Sequence, residues 1–108
     1  MQSTPNIKFN YLYRDASNYK QYSSIVFSNP ERLSLKEIEN RILDNLIDRE
    51  FFVATYWNLP SLFFIGTDSD DHNWHEFESI ELSDDEVYDN LSINKFLHLI
   101  TINTHPQT

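Results

Sequence analysis

The sequence predicts a single α+β domain, in which a mainly antiparallel sheet carries one capped amphipathic helix across a face. Its 108 residues match the length of one compact domain. Fifteen per cent of the residues are aromatic, which supplies enough apolar area for a core. The expected element order is β-β-α-β-β-β-α. We expect the core in residues 7–82, a helical extension in 83–102 and a frayed tail in 103–108.

The chain begins with two predicted strands. In residues 7–14, IKFNYLYR, apolar and polar side chains alternate, which is typical of a strand with one buried face. Residues 15–21 have the composition of a turn, and residues 22–28 predict a second strand that pairs with the first as a hairpin. The predicted buried face consists of Ile7, Phe9, Tyr11 and Tyr13.

A helix is predicted over residues 35–48. Ser34-x-x-Glu37 is a capping box, in which the serine hydroxyl accepts a hydrogen bond from the backbone N–H of Glu37. Apolar residues then recur at helical spacing, at Ile38, Ile42 and Leu46. The sequence therefore places one buried stripe along this helix.

The second half predicts three further strands and a helical end. Residues 51–57, FFVATYW, are apolar on both faces and predict a central strand. Residues 62–66 and 74–82 predict two more strands. Ser83-x-x-Glu86 repeats the capping-box pattern and predicts a short helix, and residues 93–100 have the apolar spacing of a final helix.

Charge is distributed unevenly along the chain. Residues 1–50 contain seven bases and seven acids, whereas residues 51–94 contain ten acids and no base, and the total is −9. This balance argues against direct binding to nucleic acid, which depends on Lys and Arg. The ten acids are Asp68, Asp70, Asp71, Glu76, Glu78, Glu81, Asp84, Asp85, Glu86 and Asp89.

The stretch DDHNWHEFES, residues 70–79, admits a metal-site interpretation. A zinc protease helix requires His-Glu-x-x-His, whereas here the order is His72-x-x-His75-Glu76 in a predicted loop and strand. His75 and Glu76 would then point to opposite faces. A site built from His72, His75, Asp70 and Asp71 is retained as an alternative to an acidic loop.

Other catalytic patterns are weaker. Glu76 and Glu78 would share a strand face about 6.7 Å apart, at roughly 3.3–3.4 Å of rise per residue, which is compatible with a carboxylate pair but typical of a solvated face. The chain has one glycine, which excludes a glycine-rich phosphate loop, and no cysteine, which excludes disulfides and thiolate sites. No cofactor is predicted.

Five segments form a recognisable combination: YLYRDASNYKQY (11–22), SNPERLSLKEIENRI (28–42), LIDREFF (46–52), Trp57-x-x-Pro60 and HNWHEF (72–77). Together they resemble a group of small uncharacterised bacterial proteins. The resemblance covers roughly residues 7–80 and implies no activity, because none is established for that group. The turn after the first helix departs from the group's pattern, with Asp48-Arg49 where Asp-Gly is expected.

We predict a non-enzymatic interaction protein that meets a basic surface on a nucleic-acid-binding partner. Carboxylates would mimic phosphates, as in small acidic inhibitors of CRISPR and other defence systems, with Trp74 and Trp57 as anchors. The absence of a signal peptide or long apolar run predicts a cytoplasmic protein with no membrane association. The alternatives are the metal-dependent enzyme and an assembly subunit that forms homodimers. The predicted partner-binding residues are Asp68, Asp70, Asp71, Trp74, Glu76, Glu78, Glu81, Asp84, Asp85 and Glu86.

Overall fold

The predicted α+β architecture is confirmed in a computed structural model of the chain, which describes residues 5–14, 18–59 and 74–102. The described part contains four strands, two α-helices and two short 3₁₀-helices, at Ala54–Trp57 and Tyr88–Asn90. The strands and α-helices are β1 (Asn6–Arg14), β2 (Lys20–Phe27), α1 (Leu35–Asp44), β3 (Phe51–Val53), β4 (Trp74–Ser83) and α2 (Ile93–Ile102).

The four described strands form one antiparallel sheet in the order β2-β1-β4-β3. The predicted β1–β2 hairpin is confirmed, with Ile7 opposite Phe27 and Arg14 opposite Lys20. The predicted buried face of β1 is confirmed too, because all four of its members are at most 1% exposed. This face and the two α-helices enclose the core.

A β-bulge interrupts the pairing of the two central strands. Asn10 lies opposite Ser79 and Tyr11 opposite Phe77, so Glu78 is an extra residue on β4. The bulge changes the alternation of β4 by one position. As a result His75, Phe77 and Ile80 all reach the core side of the sheet, although strict alternation would separate Ile80 from the other two.

The predicted start of α1 is confirmed. The backbone N–H of Glu37 donates to the Ser34 hydroxyl over 3.1 Å, and Ile38 and Ile42 are fully buried. The helix ends at Asp44, four residues before the predicted end. Asn45 follows the last turn and donates its backbone N–H to the carbonyls of Ile42 and Leu43.

The chain turns tightly between α1 and β3. Asp48 and Arg49 both have positive φ, 53° and 56°, as in a type I′ turn, and Glu50 N donates to the Ile47 carbonyl over 3.0 Å. The turn that Asp-Gly would favour therefore forms with Asp-Arg. A non-glycine residue with positive φ costs about 1–2 kcal/mol, so β3 begins from a strained connection.

Two predictions for the second half are wrong. The predicted central strand over 51–57 ends at Val53, lies at an edge of the described sheet, and continues as a 3₁₀-helix at Ala54–Trp57 that turns Ala54 and Trp57 into the core. The predicted helix after Ser83 is also absent from the described residues. There the Ser83 hydroxyl accepts from Asp85 N, two residues on, over 3.0 Å, which closes a turn.

The final helix is confirmed and extends to Ile102, whereas the predicted strand at 62–66 and the predicted tail lie outside the described residues. Aromatic rings join α2 to the sheet. The ring of Phe96 stacks on Phe27 with centroids 4.6 Å apart and meets Phe9 edge-on at 5.5 Å. The core thus depends on contacts between residues far apart in the chain.

Burial raises the pKa of Tyr11 above its ordinary value of 10.0, an effect that a hydrogen bond with Ser23 partly offsets. Because the folded-state pKa exceeds the unfolded one, the folded protein holds the Tyr11 proton more tightly than the unfolded chain does. The resulting contribution to the unfolding free energy is complete below about pH 10 and is lost as pH rises through the raised value. We expect Tyr11→Phe to flatten the decline in unfolding free energy above pH 10, by at most about 1.4 kcal/mol per pH unit. Urea unfolding at pH 9, 10 and 11 measures this, and equal slopes for both proteins would contradict it.

Candidate functional site

The acidic strand β4 lies beside the basic strand β1, which changes the predicted charge pattern. Arg14 Nε lies 2.8 Å from Glu76 Oε2, and its Nη2 lies 3.3 Å from Glu76 Oε1, so the pair is bidentate. The Glu76 side chain is only 14% exposed, and the pairing raises the pKa of Arg14. Glu76 is therefore neutralised within the fold, contrary to the prediction of an unopposed acidic field.

Two further acids have partners on β1, through weaker contacts. Asn10 Nδ2 donates to Glu81 over 2.9 Å, and Lys8 Nζ lies 3.4 Å from Asp85 Oδ2. The Asp85 side chain is 63% exposed, and an ion pair so open to water contributes little to stability. Unlike Glu76, these two carboxylates stay at the surface.

Of the acids after residue 73, all except Glu76 and Glu78 lie in one stretch, which we call the acidic segment and define as residues 81–89. Asp84, Glu86 and Asp89 are exposed, and they make no side-chain hydrogen bond or ion pair within the described residues. Two exposed apolar side chains lie among them, Leu82 at 54% and Tyr88 at 49%. Of the predicted partner-binding residues, Asp68, Asp70 and Asp71 lie outside the described part.

The bulge breaks the regular row of carboxylates that the sequence predicted on β4. On the face away from the core, Glu76 lies opposite Leu12 and Glu81 opposite Lys8, with Ser79 between them opposite Asn10. Glu78 is exposed but occupies the unpaired bulge position. Glu76 and Glu78 therefore do not form the regular pair, about 6.7 Å apart on one face, that unbroken strand alternation predicts.

The two tryptophans differ completely in environment. Trp57, predicted as an anchor, is fully buried and stacks on Phe52 with centroids 4.7 Å apart, so that prediction is wrong. The 3₁₀-helix turns the Trp57 ring into the core, whereas in a straight strand the alternation of side chains would place Trp57 and Phe52 on opposite faces. Trp74 is 39% exposed at the start of β4 and packs against Phe51, with centroids 5.5 Å apart. Of the two tryptophans, only Trp74 has exposed area.

His75 belongs to the core. It is fully buried, and its ring centroid lies 5.2 Å from Tyr13, 5.8 Å from Phe52 and 5.9 Å from Tyr11. The prediction that His75 and Glu76 point to opposite faces is confirmed. The other members of the alternative metal set, His72, Asp70 and Asp71, lie outside the described residues. Across residues 5–14, 18–59 and 74–102, no three His, Asp or Glu side chains are grouped to hold a metal ion.

A pocket that the sequence did not predict lies between α2, the 3₁₀-helix at Ala54–Trp57 and the segment before α2. Its volume is about 320 Å³ and its walls are mainly apolar. Lys95 lines it, and this lysine is the only Lys or Arg after residue 49. That isolated base was the available signal. The pocket cannot be predicted from local sequence, because nothing near Trp57 or Leu91 in the chain indicates that these two residues meet beside α2.

Comparisons with protein-family models, curated proteins and solved structures found no match to this chain. Neither α-helix of the described part is long and apolar enough to cross a membrane.

Proposed function

We propose that the protein is a non-enzymatic interaction protein that docks on a basic partner through the acidic segment. The observation that carries this proposal is the number of carboxylates in that segment and how few of them are paired with a base. Five carboxylates occur within nine residues, and within the described part a single amine, that of Lys8, pairs with one of them. Such a segment lowers stability by self-repulsion, and a positively charged surface relieves that cost on binding.

The exposed apolar residues support a protein partner. Leu82 and Tyr88 lie within the acidic segment, and tyrosine is enriched among residues that contribute most to binding. Apolar contact at the centre and carboxylates around it is the usual arrangement of a specific interface. Carboxylates alone would attract counterions as readily as a protein.

The finer proposal is that the partner's basic surface normally binds nucleic acid, so that docking inhibits it, as anti-CRISPR and other anti-defence proteins do. The chain's net charge of −9 supports this, because it opposes binding to nucleic acid itself and favours rapid approach to a basic groove. The inhibitor would cover the groove through its exposed carboxylates, without reproducing a regular phosphate spacing.

The test reverses charge at two matched places. Asp84→Lys with Glu86→Lys alters the acidic segment, and Glu31→Lys with Glu39→Lys alters exposed acids near and on α1. Both double variants change net charge equally. Captured host proteins would be identified by mass spectrometry, purified and measured by biolayer interferometry. We expect the first variant to slow association about tenfold or more, with little change for the second.

Competition with nucleic acid tests the finer proposal. Increasing DNA or RNA should displace the protein from its partner, and the affinity should fall as salt rises from 50 to 300 mM. In the charge-reversal test, an equal loss of association rate in both double variants would contradict docking through the acidic segment. A partner that binds nucleic acid and this protein together would contradict inhibition by occupation of the groove.

A further inference from the structure

The pocket beside α2 has the size and position of a ligand site. Ligand pockets commonly begin at about 300 Å³, and this one measures about 320 Å³. Its walls are joined by backbone hydrogen bonds, since Ser28 N donates to the Leu91 carbonyl over 2.9 Å and Ile93 N donates to the Ser28 carbonyl over 2.8 Å. These bonds fix the segment before α2 against the end of β2.

The pocket walls favour a flat apolar group. Three aromatic residues line it, Phe27, Trp57 and Phe96, together with three leucines, Leu59, Leu91 and Leu99. A dry cavity of about 150 Å³ accommodates benzene. The volume here is about twice that, and the pocket is partly open to solvent, so it has room for a two-ring skeleton.

The polar groups favour a single negative charge on that ligand. Lys95 lines the pocket and makes no ion pair within the described residues. Asn58 and Asn90 also line it, and an asparagine side chain can donate hydrogen bonds through its amide. Ser92 is another lining residue, and its Oγ is buried with no hydrogen-bond partner in the described part, which costs free energy.

From this combination we propose that the pocket binds an aromatic monocarboxylate with a two-ring skeleton. The rings lie against Phe27, Trp57 and Phe96, and the carboxylate lies at Lys95. Ser92 and the asparagine amides supply hydrogen bonds to it. No lining residue belongs to the acidic segment, which ends just before Asn90, and the test of this site does not depend on the proposed protein partner.

The experiment titrates the full chain with 2-naphthoate, its neutral isostere 2-naphthamide, and benzoate, by calorimetry and by amide chemical-shift mapping. We expect 2-naphthoate to bind saturably with a Kd below about 1 mM, and we expect the amide shifts to be concentrated at Asn58, Asn90, Leu91 and Leu99. Naphthoate should bind about three- to fivefold more tightly than naphthamide, as for a partly exposed ion pair. Benzoate should bind more weakly than either, because one ring leaves half of the pocket unfilled.

Matched variants separate the charge from the cavity. Lys95→Gln should abolish the preference for naphthoate over naphthamide, whereas Lys36→Gln, an equal charge change on α1, should retain it. Leu99→Trp should fill the pocket and abolish binding of both compounds, with folding checked by circular dichroism. The proposal is overturned by an absence of saturable binding to the wild type, by equal affinity for the two naphthalenes, or by shifts that map elsewhere.

Discussion

Phe9→Ala is expected to lower the free energy of unfolding by about 3–5 kcal/mol, the range for aromatic truncation in a core. The Phe9 side chain is fully buried at the centre of β1. Its ring centroid lies 5.3 Å from Phe77, 5.5 Å from Phe96, and 5.7 and 5.8 Å from Tyr11 and Phe52. Truncation would remove contacts that join the sheet to α2, and rings on all sides prevent the cavity from collapsing.

Urea denaturation followed by circular dichroism measures this loss. Tyr22→Ala is the matched control, because Tyr22 is an aromatic residue of the same hairpin but is 59% exposed. We expect that control to change stability by less than about 1 kcal/mol. A loss below about 1.5 kcal/mol for Phe9→Ala would show that the described core is not the one that stabilises the protein.

Trp57→Ala and Trp74→Ala are expected to separate stability from binding. The Trp57 ring is fully buried, stacks on Phe52 and meets Phe96 edge-on at 5.8 Å, so its truncation should cost about 3–5 kcal/mol. Trp74 is 39% exposed, and its truncation should cost about 1 kcal/mol. The same unfolding experiment compares both variants.

Partner binding should follow the reverse order. With the identified partner in hand, Trp74→Ala should weaken the complex at temperatures where both proteins are folded, since Trp74 has exposed area at the start of β4. Trp57→Phe keeps an aromatic ring in the core and should leave partner binding unchanged. If Trp57→Ala were as stable as the wild type, Trp57 would not be a core residue.

The elements that the sequence predicted well are those determined by local pattern. The alternation in β1 identified four buried residues, and the Ser34 capping box was followed by an apolar stripe at Ile38 and Ile42 that could dock on the sheet. In β1 and in α1, the residues that the local pattern predicts to be buried are buried in the fold. Tertiary packing therefore stabilises the same element that the local sequence favours.

The helix predicted after Ser83 does not form, because the local preference for a capped helix disagrees there with the tertiary pairing of β4. Ser83 still pairs with Asn6 at the end of β4. Like charges at Asp85 and Asp89 would be one turn apart in a helix and would repel each other. The strand prediction for residues 51–57 was wrong for a different reason. A 3₁₀-helix that buries Trp57 has the same apolar composition as a strand buried on both faces, so composition does not distinguish the two.

The charge pattern could be predicted only in part. The sequence shows that every base except Lys95 lies in the first half and that acids dominate the second, but contact between the halves depends on the pairing of β1 with β4. That pairing brings Arg14 to Glu76 and Lys8 to Asp85 across more than 60 positions. Local sequence contains no signal for such a contact, so the predicted field was larger than the described one.

The bulge at Glu78 implies where this strand tolerates a change in length. Since Glu78 has no opposite residue on β1, a chain without it would run Phe77 and Ser79 against Tyr11 and Asn10 in unbroken register, and the core would keep the same members. Insertions and deletions among divergent copies of this domain should therefore accumulate at this position. An alignment that forces the strand to constant length there would assign core residues to the solvent face.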